Sequence, residues 1–207
     1  MRASNNHVLL GLCCWLAAMA VSPSSATAGP PTEQIKATVD KALLVLKDPR
    51  LKAGAKVKER RDQLKQILFA RFDFTEMAKR ALGADWRRRT SAEQEEFIRL
   101  FTELLERAYT DTIESYTDEK IVYIGEKLDG GYADVASKIL TSKGEEFSIN
   151  YKAHLLGADW RVYDVVVENI SLVNNFRSQF SRVIANASYE ELVRRLKAKL
   201  DVGTQKN

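Results

Sequence analysis

The sequence contains few of the side chains that build metal sites and nucleophilic active sites. It has two cysteines and two histidines in 207 residues. Cys13, Cys14 and His7 all fall within the first 28 residues, so the rest of the sequence carries His154 and no thiol. A metal site there would need carboxylates alone, and the sequence has no tight carboxylate cluster. We predict no metal site, no cofactor and no disulfide, and we expect His154, on the polar side of a strand, to be exposed.

Motifs of the common enzyme classes are also missing. There is no P-loop, no G-x-G-x-x-G, no G-x-S-x-G and no H-E-x-x-H. The net charge of +4 is too small for the dense basic face of a nucleic-acid-binding protein, so no nucleic-acid partner is predicted.

One acid, Asp164, lies in an apolar run. It is either a structural carboxylate paired with an arginine or a tyrosine hydroxyl, or a general base in a dry pocket.

The first 28 residues have the composition of a secretory signal peptide. Arg2 precedes an uncharged apolar run at residues 8–21, and Ala26-Thr27-Ala28 forms an A-x-A cleavage site. An apolar run of about 14 residues is shorter than the ~20 that span a bilayer, so we predict cleavage after Ala28 rather than anchoring. Loss of Arg2 lowers the net charge from +4 to +3. We therefore predict a signal peptide (1–28), a single domain (29–200) and a flexible tail (201–207).

Alternation of apolar and polar residues predicts the strands of one sheet. Residues 147–155 alternate over nine positions, which is the pattern of a strand with one buried face. Residues 160–168 form a second strand with a valine-rich centre, and two earlier strands are predicted at 121–124 and 132–140. Because short turns join these four strands in sequence, they predict an antiparallel meander.

Helical periodicity before and after the strands predicts an α+β fold. The apolar stripe of the longest helix is rich in aromatic residues, and the stripe that follows the last strand is expected to fold back onto the sheet. We predict a four-stranded antiparallel meander packed against several helices and enclosing an apolar cavity. The predicted helices cover residues 32–46, about 54–71, 73–82, 91–116, 172–184 and 188–200.

The hexapeptide LGADWR occurs twice, at residues 82–87 and 156–161. A basic loop follows the first copy and a valine-rich strand follows the second, so we interpret the repeat as coincidence and not as a duplicated unit. The basic loop contains Arg87, Arg88 and Arg89. These arginines are either a solvated cluster or a contact for phosphate head groups or an acidic partner.

Two long stretches of the sequence resemble a known family. They are DWRVYDVVVENISLVNNFRSQF at residues 159–180 and ALGADWRRRTSAEQEEF at residues 81–97. Together with the Tyr151 strand between them, they resemble the MlaC family, also called toluene-tolerance auxiliary proteins, over about residues 32–200. Asn169 departs from the glycine that this family often has there, a departure that concerns the local turn and not the fold.

The resemblance implies a function. Members of that family are soluble periplasmic carriers whose helices and sheet enclose phospholipid tails. They exchange lipid with an outer-membrane lipoprotein–porin complex and with the hexameric lipid-binding subunit of an inner-membrane ABC transporter. The resemblance therefore implies a periplasmic protein that binds phospholipid, does no chemistry on it, and has both complexes as partners.

The walls of the cavity are predicted from the apolar stripes and not from the family's contacts. Two other hypotheses remain open: a small cone-fold isomerase or hydrolase that uses Asp164, and an interaction module whose stripes are ordinary core. The pattern does not distinguish phospholipid from a hopanoid or another hydrophobic ligand. The predicted lipid-binding residues are Met77, Phe101, Leu105, Tyr109, Val135, Ile149, Tyr151, Val165, Val167, Phe176 and Phe180.

Overall fold

A computed structural model describes residues 30–52, 54–116 and 119–204. The predicted signal peptide lies outside these residues. Among the described residues, no helix combines the length and the apolar character that crossing a bilayer requires. The helices are α1 (Pro30–Lys47), α2 (Val57–Phe69), α3 (Phe74–Leu82), α4 (Ser91–Glu114), α5 (Leu172–Asn186) and α6 (Tyr189–Thr204), with short 3-10 turns at Pro49–Leu51, Gly54–Lys56 and Gly83–Arg88. The strands are β1 (Lys120–Asp129), β2 (Tyr132–Leu140), β3 (Glu146–Leu156), β4 (Asp159–Val167) and β5 (Ile170–Ser171).

Side-chain caps define where two central helices begin. Asp73 Oδ1 accepts a hydrogen bond from the backbone N–H of Glu76 at 2.9 Å at the start of α3. Thr90 and Glu93 form a capping box at the start of α4, with each side chain bonded to the backbone of the other residue. Both starts agree with the sequence prediction. At the other end of the chain, α6 continues to Thr204, four residues into the predicted tail.

The strands form one antiparallel sheet in the order β1-β2-β3-β4-β5, so the predicted meander is confirmed with one additional short strand. β5 pairs with β4 through a tight turn in which Glu168 has a φ of 47° and Asn169 a φ of 64°. Asparagine adopts this left-handed conformation more readily than most residues, which explains how it replaces glycine here. The Glu168 carboxylate accepts hydrogen bonds from the backbone N–H and the hydroxyl of Ser148 at 2.5 and 2.9 Å, which holds the turn against β3.

The two faces of the sheet contact different helices. The inner face, which carries Val135 and Tyr151, packs against Ile35 and Val39 of α1. The outer face, which carries Lys152, adjoins α3 and α5 beside β4. The loop before α3 joins the sheet as well, because Asp73 N–H donates to Val162 O at 2.8 Å.

The apolar stripe of α5 packs mainly among helices and not across the sheet. Val173, Phe176 and Phe180 are buried in a cluster with side chains of α3, α4 and α6. α5 reaches the sheet beside β4, near its own first turn. The helix that covers the inner face of the sheet is instead α1, the first helix of the described chain.

The repeated hexapeptide adopts two different structures. At residues 82–87 it ends α3 and forms a 3-10 turn, and at residues 156–161 it ends β3, turns and begins β4. The glycine has a similar left-handed φ in both copies, 62° at Gly83 and 64° at Gly157. Shared sequence therefore fixes the reversal of the chain at glycine, and the surrounding tertiary structure decides between helix and strand.

Candidate functional site

Buried apolar side chains of the described residues fall into three clusters rather than one continuous core. The largest lies among α3, α4, α5 and α6 and includes the stacked rings of Phe97 and Phe101, whose centroids are 5.9 Å apart. The second lies between α1 and the inner face of the sheet, and the third lies between α1 and α2. α1 belongs to both smaller clusters, through Ile35 in one and through Ala42 and Leu46 in the other.

The two smaller clusters approach each other where Tyr116, beside one, lies near Tyr123 and Tyr151, beside the other. We call the half-buried side chains around this place the apolar junction. They come from α1, from the end of α4 and its following residues, and from three strands. Each packs against a buried cluster yet keeps part of its own surface accessible, so the chain's core does not cover the junction completely. The members are Val39, Leu43, Ile113, Tyr116, Tyr123, Tyr151 and Val165.

Polar contacts orient α2 against the end of α4 beside the junction. Lys65 Nζ lies 2.7 Å from Glu106 Oε2, and Arg61 Nη2 lies 3.0 Å from Glu114 Oε2. Arg60 adds a hydrogen bond to the backbone carbonyl of Glu114 at 3.2 Å. Because exposed ion pairs contribute little stability each, these contacts mainly fix the position of α2.

Two tyrosines of the apolar junction, Tyr151 and Tyr123, are in a dry environment. Burial raises the pKa of Tyr151 to about 12, although a hydrogen bond with Ser137 acts in the opposite direction. Burial also raises the pKa of Tyr123, and the nearby Tyr151 adds to that shift. Among the described residues, the buried hydroxyl of Tyr123 has no hydrogen-bond partner. These phenols are therefore neutral at physiological pH, and they suit contact with uncharged, mainly apolar groups.

The structure divides the predicted lipid-binding residues between two places. Six lie in or against the cluster of helices, namely Met77, Phe101, Leu105, Tyr109, Phe176 and Phe180. Five lie on the inner face of the sheet, namely Val135, Ile149, Tyr151, Val165 and Val167. The rings of Phe101 and Phe176 meet edge to face with centroids 5.3 Å apart, which is ordinary aromatic core packing. Tyr151 and Val165 belong to the apolar junction, and contact of any of the eleven residues with lipid stays a prediction.

The eleven predicted wall residues include none of the junction members from α1, from β1 or from the end of α4 and its following residues. The signal was present, because Val39 and Leu43 lie on the predicted stripe of the first helix, and Tyr123 lies in a predicted strand. What the pattern did not indicate was which helix covers the inner face of the sheet. A stripe defines the buried side of a helix but not the partner against which that side packs.

Two cavities lie away from the apolar junction. One, of about 360 Å³, lies between α5 and α6 and is lined by Gln179, Arg182, Val183, Asn186, Ala187 and Arg195. The other, of about 210 Å³, lies between α3, α5 and the outer face of the sheet. None of the eleven predicted wall residues lines either of these two cavities.

Asp164 has a structural role. Its side chain is buried, and its two oxygens accept hydrogen bonds from the hydroxyl of Ser171 at 2.5 Å and from the backbone N–H of Val173 at 3.0 Å. We expected an arginine or a tyrosine hydroxyl as the partner of a structural Asp164, and the partners are instead a serine hydroxyl and a backbone amide. Because both oxygens are engaged at the start of α5, this carboxylate is poorly placed to accept a proton from a substrate.

His154 is half-buried and not exposed, so that expectation was wrong. Its Nε2 lies 2.9 Å from Oδ2 of Asp73, the residue that caps α3, and its ring packs against Tyr132 and Tyr163. The alternation of the strand correctly placed His154 on the outer face of the sheet. The side chain is nevertheless half-buried because α3 approaches that face at this point. Among the described residues, no group of three or more His, Cys, Asp or Glu side chains is arranged to hold a metal ion.

The three consecutive arginines after α3 do not form one cluster of free charges. Arg88 lies 3.5 Å from Asp85, and Arg89 lies 3.5 Å from Glu93. The Arg89 guanidinium also lies over the ring of Tyr189, 4.5 Å from its centroid. Two of the three therefore have partners within this chain, which makes those two less available to a phosphate head group or an acidic partner.

A family model described as MlaC protein matches residues 36–198. This chain belongs to the MlaC family. Two curated relatives are similar to it: the toluene tolerance protein ttg2D of Pseudomonas putida, with 27% identity over 122 residues (58% of this chain and 57% of the relative), and the intermembrane phospholipid transport system binding protein MlaC of Haemophilus influenzae, with 21% identity over 122 residues (56% of this chain and 57% of the relative). The matched segments thus span 57% of the length of each relative.

The fold of this MlaC-family chain is that of a solved structure. A phospholipid-binding protein from Ralstonia solanacearum, determined in complex with a phospholipid, superimposes with a TM-score of 0.73 at 24% identity. The match covers 82% of this chain and 96% of the other. This match confirms the predicted α+β class, and the family model confirms the predicted family.

Proposed function

We propose that this chain is a phospholipid carrier that binds acyl chains at the apolar junction and does no chemistry on them. The observation that carries the proposal is the junction itself, a set of half-buried apolar side chains between α1, α4 and the inner face of the sheet. Family membership and the phospholipid bound to the Ralstonia solanacearum protein support the choice of ligand.

The physical argument for a carrier rests on the cost of moving hydrocarbon through water. Each exposed methylene costs roughly 0.8 kcal/mol, so a lipid with about 30 methylenes faces a barrier on the order of 20 kcal/mol if it crosses water bare. A protein lowers that barrier by covering the chains with apolar side chains. Such a site needs no acid, base or metal, only apolar walls and an opening that leaves the head group in water.

The proposal includes location and partners. We propose that the protein is periplasmic after cleavage of the predicted signal peptide. Its proposed partners are the lipid-binding subunit of an inner-membrane ABC transporter and an outer-membrane lipoprotein–porin complex. The similarity to the Haemophilus influenzae relative, a binding protein of an intermembrane phospholipid transport system, supports this assignment.

Analysis of bound lipid tests the proposed function directly. The chain, expressed with its own signal sequence and purified from the periplasm, is analysed by native mass spectrometry and by extraction of its lipids. We expect a stoichiometric phospholipid, and we expect protein stripped of lipid to take up phospholipid from vesicles. Protein that is reproducibly free of lipid and accepts none from vesicles would contradict the proposal.

A further inference from the structure

The cavity of about 210 Å³ on the outer face of the sheet has a lining that differs from that of the apolar junction. It lies where α3, the glycine turn after it, β3, β4 and the first turns of α5 come together. Three of the lining residues are cations and one is an acid. The lining residues are Arg80, Gly83, Lys152, Tyr163, Asp164, Val173, Asn174 and Arg177.

Two of the cations are positioned by close packing. The guanidinium of Arg80 lies over the ring of Tyr163, 4.0 Å from its centroid, and Arg80 Nε donates to Glu76 Oε1 at 2.7 Å. Arg177 crosses directly over Gly83, where a Cβ atom would lie 2.8 Å from Arg177 Nε. The absence of a side chain at Gly83 therefore leaves room for this guanidinium. Stacking and close packing fix both groups before a ligand arrives, which lowers the cost of ordering them.

Lys152 enters the cavity from the sheet. It follows Tyr151 in β3, and successive side chains of a strand point to opposite faces. Lys152 thus lies on the outer face while Tyr151 lies at the apolar junction on the inner face. The sheet separates the two sites, so one bound lipid does not reach both.

Acids lie near the cations of the cavity, and one of them, Glu76, forms an ion pair with Arg80 at 2.7 Å. Asp164 is occupied by Ser171 and Val173 at the start of α5. Lys152 lies opposite Asp134 in the register of β2 and β3, and opposite Asp164 in the register of β3 and β4. Even so, among the described residues neither Lys152 nor Arg177 forms an ion pair. The lining therefore contains two cations, Lys152 and Arg177, in addition to Arg80 with its Glu76 partner and the one acid Asp164.

We propose that this cavity binds a phosphate group. Cations from three different elements surround the space, and this arrangement suits an anion with several oxygens directed to different sides. The volume fits a phosphate with a small substituent and is too small for a whole lipid. The backbone N–H groups of Val173 and Asn174 already bond to Asp164 and Ser171, so side chains and not backbone amides provide the donors. The phosphate comes either from a soluble phosphate ester or from a lipid head group at a membrane surface.

Binding measurements on one pair of matched variants test the proposal. The variant Lys152→Gln/Arg177→Gln removes two lining charges, and the control Arg182→Gln/Lys199→Gln removes two exposed charges outside the cavity. Isothermal titration calorimetry with inorganic phosphate and with glycerol 3-phosphate measures the binding of a soluble phosphate. Flotation with vesicles of phosphatidylcholine, with and without phosphatidic acid, measures binding to a phosphate head group at a membrane surface.

We expect saturable binding at one site in the unchanged protein and in the control, and a loss of roughly tenfold or more in the cavity variant. If the cavity variant loses binding in the titration, the ligand is a soluble phosphate. If it loses binding only in flotation, the ligand is a lipid head group. Equal binding by the cavity variant and the control, or no binding in either assay, overturns the proposal. Circular dichroism confirms that each variant is folded. Lipid content is measured on the same preparations as an independent readout. The phosphate-site proposal can therefore fail while the proposed carrier function stands, and the reverse.

Discussion

The carboxylate of Asp164 accepts a hydrogen bond of 2.5 Å from the hydroxyl of Ser171, and this contact joins the last long strand to the helix that follows it. Ser171 in turn accepts from the backbone N–H of Asn174 at 3.0 Å and caps α5. Asp164 adds a second bond from the N–H of Val173, so the start of α5 is fixed to β4 by side chains at two points.

Replacement of Asp164 tests this structural role against the enzymatic alternative. Asp164→Asn weakens buried hydrogen bonds to a charged acceptor, so we expect a loss of about 1–3 kcal/mol in the free energy of unfolding. Denaturant unfolding measures the loss, with Ser171→Ala as a comparison that removes the hydroxyl's bonds to Asp164 and to the N–H of Asn174 and costs about 1–2 kcal/mol. Lipid binding is expected to persist in both variants. A folded Asp164→Asn protein of unchanged stability would contradict the role assigned here.

A charge placed in the apolar junction tests the proposed lipid site. Val165→Lys introduces an ammonium group beside Tyr151, where burying it next to hydrocarbon is costly. We expect co-purifying phospholipid to fall at least about tenfold, which corresponds to ~1.4 kcal/mol. The control is Tyr132→Lys, because Tyr132 lies on the outer face and is 50% exposed. Lipid extraction with quantification by mass spectrometry measures both, and equal lipid content in the two variants would argue against the junction as the site.

The sequence predicted local structure well where side chains act on their own backbone. The capping box of Thr90 and Glu93 and the cap at Asp73 follow from residue type and spacing, so the starts of α4 and α3 could be predicted. The order of the sheet followed from the short turns between strands. The two-residue strand β5 could not be predicted, since it depends on a left-handed turn at Glu168 and Asn169 rather than on a periodic pattern.

Tertiary contacts were predicted less well, for a physical reason. The stripe of α5 indicated a buried side, but its packing among α3, α4 and α6 depends on the positions of all four helices. His154 was assigned to the correct face of its strand, and the approach of α3 to that face was not visible in the sequence. The apolar junction combines both problems, because its members come from helices and strands separated by more than a hundred residues of chain, such as Val39 and Val165.

Alkaline pH is expected to destabilise the fold through Tyr151. Its pKa is about 12 when folded and near 10 when unfolded, so the folded state disfavours the phenolate. The stabilisation is complete below pH 10 and is lost as the pH rises through the folded pKa, at ~1.4 kcal/mol per pH unit at most. Other groups also titrate in this range. The measurement is therefore the difference in unfolding free energy between the unchanged protein and Tyr151→Phe at pH 9 and 11, and a difference that does not change with pH would exclude this contribution.

The left-handed turn at Asn169 offers a test of backbone strain. Asn169 has a φ of 64°, a conformation that glycine adopts without steric cost and that β-branched residues strongly disfavour. We expect Asn169→Gly to change the free energy of unfolding by no more than about 1 kcal/mol, and Asn169→Val to lower it by about 1–2 kcal/mol. Thermal and denaturant unfolding measure both, with Asn175→Val on the exposed side of α5 as a control for the substitution itself. Equal losses for Asn169→Val and Asn175→Val would mean that the left-handed turn is not what makes residue 169 sensitive, whereas a larger loss at residue 169 would tie the stability of the β4–β5 connection to its backbone conformation.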